Sequence, residues 1–156
     1  MGLVRFIADR LRLLRNVSLN LKDDGEPLSK PAIGQLGEDL AARHLKRLGM
    51  KILYRNFRAT HGGEVDIVAR DKEVLAFIEV KARTTENYGR PVDAVNMDKR
   101  FLITRGAFEW MRLLDSDGLE LNYRFDVVEV LLEKGKREQI NLIKGAFETP
   151  DSYLSQ

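Results

Sequence analysis

One run constrains this chain more than any other: VLAFIEVKAR, from Val74 to Arg83, where an apolar stretch is broken by Glu79 and Lys81 two positions apart. Its length and its β-branched and aromatic content describe a buried strand of a soluble domain. An unneeded charge inside such a strand is costly, because a carboxylate or an ammonium leaves water only when something replaces its hydration. Glu79 and Lys81 therefore have to be explained together, by whatever lies around them.

The flanking sequence supplies a layered domain. Ser29 and Pro31 signal a helix start, and Ile33, Leu36, Leu40, Ala41, Leu45 and Leu48 form one apolar arc that ends at Gly49, a C-terminal stop. His44 falls within that arc as a packed side chain, and Glu38 lies at its margin. Three strands follow, KILYRNF, GEVDIVAR and VLAFIEVKAR, then a helix from about Asn96 to Leu114, then strands in YRFDVVEVLL and QINLI. That order predicts an α/β domain in which helices flank a central mixed sheet.

Ahead of it, MGLVRFIADRLRLLRNVSL spaces Leu3, Phe6 or Ile7, Leu11, Leu14 and Val17 as an amphipathic helix with arginines mostly opposite. The polar KDDGEPLSKP then reads as a linker, which places the boundary between residues 1–30 and the domain of residues 31–156. The helix suits an anionic membrane surface, or simply packs on the domain. With no cysteine, disulfide frameworks, thiolate metal sites and thiol nucleophiles are excluded, in keeping with a reducing cytoplasm. A formal net charge of +2 names no partner, so only local charge informs.

The acids gather on paper. RDKE reads as a tight hairpin turn; with Asp71 and Lys72 in its two central positions, Asp66 faces Phe77 and Glu64 faces Glu79. Glu64, Asp66, Glu79 and Lys81 then emerge on one side of the sheet, and Val65, Ile67, Ile78 and Val80 fill the other. Like charges this close repel. Lys81 offsets one of them, and a hard divalent cation would do so better, with Glu38 brought in by the packed helix. The competing reading is a salt-bridge cluster on an exposed sheet face.

These residues resemble a known pattern. GEVDIVARD followed by FIEVKAR, with Asp66 and then Glu79-Val80-Lys81, resembles the D…(D/E)-x-K motif of restriction-endonuclease-like nucleases, the Holliday junction resolvase branch in particular. GQLGEDLAARHL ahead of it and YGRPVDAVNMDKR behind are similar to the YraN-like family of uncharacterised bacterial proteins. The resemblance spans about Ile33 to Phe147. It implies a restriction-endonuclease-like core, Asp66 and Glu79 as metal-binding acids, Lys81 as the motif lysine, Glu38 as a further acid on the first helix, and Mg²⁺ or Mn²⁺ as cofactor. Val65 departs from it, standing where many such nucleases have proline, and Glu64 belongs only to the narrower family pattern.

The function so implied is hydrolysis of DNA phosphodiester bonds, in branched or structured DNA, by a protein that acts as a homodimer as resolvase relatives do. Between Leu40 and Gly63 the basic residues Arg43, Lys46, Arg47, Lys51, Arg55 and Arg58 interleave with Tyr54 and Phe57, a composition suited to phosphate contact and equally to a solvated face. Lys99 is a further candidate for the DNA backbone, and His61, beside two glycines, reads as loop. Two alternatives stand beside the enzyme: a nucleic-acid-binding module of the same fold that does not cleave, and an adaptor recruited to membranes by its first helix.

Overall fold

A computed structural model of the chain describes residues 28–84, 95–114, 121–133 and 137–154. The basic helix and most of the linker expected at the N-terminus lie outside the described residues. In order the elements are α1 (Lys30–Arg47), β1 (Lys51–Arg58), β2 (Glu64–Asp71), β3 (Val74–Arg83), α2 (Met97–Arg112), β4 (Tyr123–Leu131), β5 (Gln139–Phe147) and α3 (Asp151–Leu154). The strands form one sheet in the order β1-β2-β3-β4-β5, parallel between β3 and β4 and antiparallel elsewhere. This is the α/β, mixed-sheet architecture that the sequence predicts, consistent with a restriction-endonuclease-like core.

Local chemistry sets the ends of α1. The Ser29 hydroxyl accepts a bond from the Ala32 amide, proline occupies the first turn, and Gly49 adopts a φ of 85° just beyond the last turn. The helix thus begins at Lys30, ahead of the apolar arc that reveals it. Leu48, counted into that arc, becomes the C-cap and is exposed.

Both faces of the sheet are covered. On one, Leu36, Leu40, Ala41 and Leu45 of α1 pack on Ile67, Ala69, Ala76, Ile78, Val128 and Val130. On the other, Ile103, Ala107, Trp110 and Met111 of α2 pack on Val68, Phe77, Phe125 and Val127. Phe77 and Ile78 are each fully buried, one per face, and each such side chain contributes about 1.5–3 kcal/mol. The expectation of one apolar and one acid-bearing face is therefore corrected: α2 lies over the second face, and the acids gather beside its first turn.

The hairpin register is corrected too. The ladder pairs Asp71 with Val74, Arg70 with Leu75, Val68 with Phe77 and Ile67 with Ile78, so the turn residues are Lys72 and Glu73, and Lys72 takes the left-handed conformation. Asp71 stays in the ladder because Arg124 and Lys144 each hold its Oδ2 at 2.7 Å. The shift is of even parity, so it changes the partners while leaving the faces unaltered. Counting on from Ile67 and Ile78, Asp66 comes level with Glu79, where the β2–β3 ladder has ended.

At that level β1 and β2 change sides. Arg55 reaches the acids of α1, whereas Phe57, two residues on, packs in the α2 cluster; likewise Ile67 packs under α1 and Val65 under α2. Regular alternation would keep each pair together. Between Arg55 and Phe57 stands Asn56 with a φ of 54°, in a conformation asparagine tolerates better than most residues. The expected grouping of Val65 with Ile67 fails at this kink, and Asp66 lies at the crossing.

Two close approaches fix the helices. A methyl group on Gly37 would lie 2.5 Å from the Ala82 Cβ, so α1 rests directly on the end of β3. A Cβ on Gly63 would run into the backbone of Gly106, so α2 lies against the start of β2.

Candidate active site

Where β2 leaves β3, a side chain takes over a backbone role: the Val80 amide donates to Asp66 Oδ2 at 2.8 Å. Glu79, the neighbour of Val80, is only 3% exposed, which removes the reading of an exposed salt-bridge face. Lys81, on the same side of β3, places its Nζ 2.8 Å from Glu79 Oε1. The other oxygen, Oε2, is buried and has no aligned hydrogen-bond donor, although the Lys99 ammonium lies 3.3 Å away. The structure thus brings Asp66, Glu79 and Lys81 together.

Burial raises the Asp66 carboxyl to about 7, with the Glu79 charge next in size and Glu38 adding to it, against the Val80 hydrogen bond and Lys99. Two acids in one partly dehydrated place resist carrying two charges unless a cation joins them. Glu38 is near enough for its charge to act on Asp66, yet its side chain turns to Arg55, whose Nη2 is 3.8 Å from Glu38 Oε2 and 2.8 Å from Asp39 Oδ1. Glu38 Oε2 is buried without a hydrogen-bond partner. Among the described residues, no three Asp, Glu or His side chains form a group that could hold a metal ion as they stand.

Glu64 lies at the rim. Its Oε1 meets the Lys99 ammonium, its Oε2 accepts from Arg58 at 2.7 Å, and its carboxyl is held below the usual range, chiefly by the Lys99 hydrogen bond. Lys99 thus bridges Glu64 and Glu79 and is only 21% exposed. Sequence spacing could not find this bridge across 35 residues. The available signal was local, a lysine in the first turn of a helix, where a positive charge opposes the dipole and needs acidic company.

The basic stretch is partly committed. Arg55 and Arg58 serve the acids just described, and Phe57 is buried against Tyr54, which remains exposed. Arg43 and Arg55 line a groove of about 360 Å³ with Leu36 and Ile52; Asp66 and Glu79 are not among its walls. His61 is a loop residue, exposed, 3.7 Å from Glu109. No described helix is long and apolar enough to cross a membrane.

The site's elements, from the middle of α1 through β4, coincide with the region that known proteins share. The profile described as "Uncharacterised protein family UPF0102" matches residues 37–130. A UPF0102 protein of Nocardia farcinica is 45% identical over 118 residues, covering 76% of this chain and 91% of its own length. Another, from Geobacter sulfurreducens, is 46% identical over 116 residues, 74% of this chain and 88% of its own. A third, from Chloroherpeton thalassium, is 38% identical over 125 residues, 76% and 95% of the two chains. With the helix that carries Glu38, the strands that carry Asp66 and Glu79 and the helix that carries Lys99 all inside the matched region, the chain belongs to the UPF0102, or YraN-like, family.

Proposed function

We propose that this chain is a metal-dependent endonuclease that hydrolyses DNA phosphodiester bonds, with Asp66 and Glu79 holding Mg²⁺ or Mn²⁺ and Glu38 adjoining them. The observation that carries the reading is the half-buried Asp66 beside the buried Glu79, with Lys81 bonded to one glutamate oxygen and no aligned donor on the other. Hard carboxylate oxygens suit Mg²⁺, which takes one or two of them and completes its shell with water and substrate phosphate, so a pair is sufficient. When bound, such an ion polarises the phosphoryl oxygen and eases ionisation of water.

The chain's own groups supply the rest. Glu79 fixes Lys81, which aims a positive charge at the same pocket and offsets charge that develops on the phosphoryl oxygens. The Val80 amide fixes the orientation of Asp66. Packing of α2 and α1 over the two faces keeps the pair partly dry, which strengthens each of these interactions.

A second reading, a nucleic-acid-binding module of the same fold that does not cleave, draws on a specific observation: Lys99 already partners Glu79 and Glu64, and Arg55 draws Glu38 aside. Cleavage of a panel of branched, flapped and single-stranded DNA separates the two. The enzyme is expected to cut at least one member in Mg²⁺ or Mn²⁺, with Glu79→Ala and Lys81→Ala each losing the activity at least about a hundredfold while retaining binding. Binding without cleavage across the whole panel, indifferent to both substitutions, would establish the module instead. The homodimer and the membrane-recruited adaptor are tested by the mass of the species in solution and by vesicle association with and without residues 1–22.

A further inference from the structure

We infer that Lys99 is the resident cation of this site: its ammonium occupies the surroundings of Glu79 Oε2 until a divalent ion takes that oxygen, and the two compete. The inference rests on the metal-dependent reading above and concerns how the same site is regulated.

The position of Lys99 is built, since several contacts fix the turn that carries it. Asn96 caps α2 by accepting from the Lys99 amide at 3.0 Å, and Arg100 Nε bonds the Val95 carbonyl at 2.9 Å. The close approach of Gly63 and Gly106 seats the helix against β2. This first turn is an unfavourable place for a positive charge, because the helix dipole is positive there. The ammonium is also largely removed from water, with its side chain only 21% exposed. Glu64 and Glu79 together offset both costs.

The two acids hold it unequally. Glu64 Oε1 is hydrogen-bonded to the ammonium, whereas Glu79 Oε2 lies 3.3 Å from it without an aligned bond and is buried. Lys99 therefore neutralises Glu79 without using the lone pairs of that oxygen in a directed bond. A divalent ion offers that oxygen twice the charge and direct coordination. Glu64 retains the displaced ammonium nearby, where it still repels the ion. Removing the Lys99 charge leaves Glu79 with Lys81 and Glu64 with Arg58, one counterion fewer between them, and leaves the divalent ion without a rival at Glu79 Oε2.

The test is Mn²⁺ binding by the full-length chain at mildly alkaline pH, read from the electron paramagnetic resonance of free Mn²⁺ and by calorimetry. Lys99→Met is expected to bind Mn²⁺ about tenfold tighter than wild type. It should also melt lower in EDTA and recover most of that loss in Mn²⁺. Lys99→Arg, which keeps the charge, should stay near the wild-type affinity. Unchanged or weaker Mn²⁺ binding by Lys99→Met, or equal tightening by Lys99→Arg, overturns the inference. If Lys99→Met does not fold, Lys99→Met/Glu64→Gln, which removes one charge of each sign, carries the same comparison against Glu64→Gln alone. Failures of the two readings are distinguishable. Wild type that binds Mn²⁺ and cleaves DNA, with Lys99→Met unchanged in affinity, removes only the role of Lys99. No Mn²⁺ binding by any variant removes the metal reading and this inference with it.

Discussion

Two acid clusters belong to the same sheet, and they are finished to different degrees. In the cluster around Arg124, Asp126 is completely buried and closed: Arg124 Nε donates to its two oxygens at 2.9 and 3.0 Å, and the Gly145 amide adds a third bond at 2.9 Å. Arg124 also reaches Asp71, which with Lys144 is held down to about 2, the Lys144 hydrogen bond first and Arg124 second. In the other cluster, Asp66 is raised to about 7 and a buried oxygen of Glu79 lacks an aligned donor. Buried polar groups are ordinarily satisfied, since leaving one unmade costs about 1–3 kcal/mol. The sheet thus contains its own control: complete pairing where acids serve the fold, incomplete pairing where another ligand is expected.

The largest effect should come from breaking the closed cluster. Asp126→Ala leaves the Arg124 guanidinium and the Gly145 amide facing an empty buried place, and should destabilise by about 3–5 kcal/mol in urea unfolding. A loss below about 1 kcal/mol would abolish the contrast, since the closed cluster would then hold nothing together.

The open cluster should respond with the opposite sign. Asp66→Asn keeps an acceptor for the Val80 amide and discards the reluctant charge. A shift from 3.8 to about 7 corresponds to at most about 4 kcal/mol. Halved for partial contact with solvent, it predicts a stabilisation of about 2 kcal/mol at neutral pH without divalent ions, alongside loss of cleavage. The pH profile separates the clusters. Native Asp66 holds its proton longer than the unfolded chain does, so its contribution is fully present below about pH 4 and is lost as pH rises towards about 7. Asp71 runs the other way, its contribution present above about pH 4 and lost as pH falls through about 2. Wild type should show both limbs and Asp66→Asn only the acid one; a variant that retains the upper limb would locate that titration elsewhere. The smallest change belongs to Lys144→Ala. This half-exposed partner leaves Arg124 on Asp71, and its loss should cost under about 1 kcal/mol by thermal melting.

Much of this was legible in the sequence because periodicity survives small errors. The turn lies one position later than the sequence predicts, which moves every cross-strand partner by two residues and so keeps the faces, while Glu79 and Lys81, two apart on one strand, share a face in any register. The apolar arc of α1 and the run of β3 read correctly for the same reason. Long-range partners were illegible. Nothing near Glu79 in the chain announces Lys99, and nothing in a basic stretch says that Arg55 turns to the acids of α1 or that Arg58 pairs with Glu64. The exchange of faces around Asp66 depends on one asparagine in a strand of eight residues, a cue visible only with the partner strand beside it. In α2, the close approach to the start of β2 is made by Gly106, whose lack of a side chain leaves no mark in an apolar pattern.

The bond from Val80 to Asp66 has an experimental use. An amide tied to a carboxylate reports that group's protonation through its own proton resonance, which moves downfield as the acceptor becomes anionic. Val80 is therefore a built-in spectroscopic gauge of Asp66, readable in a labelled sample without any substitution.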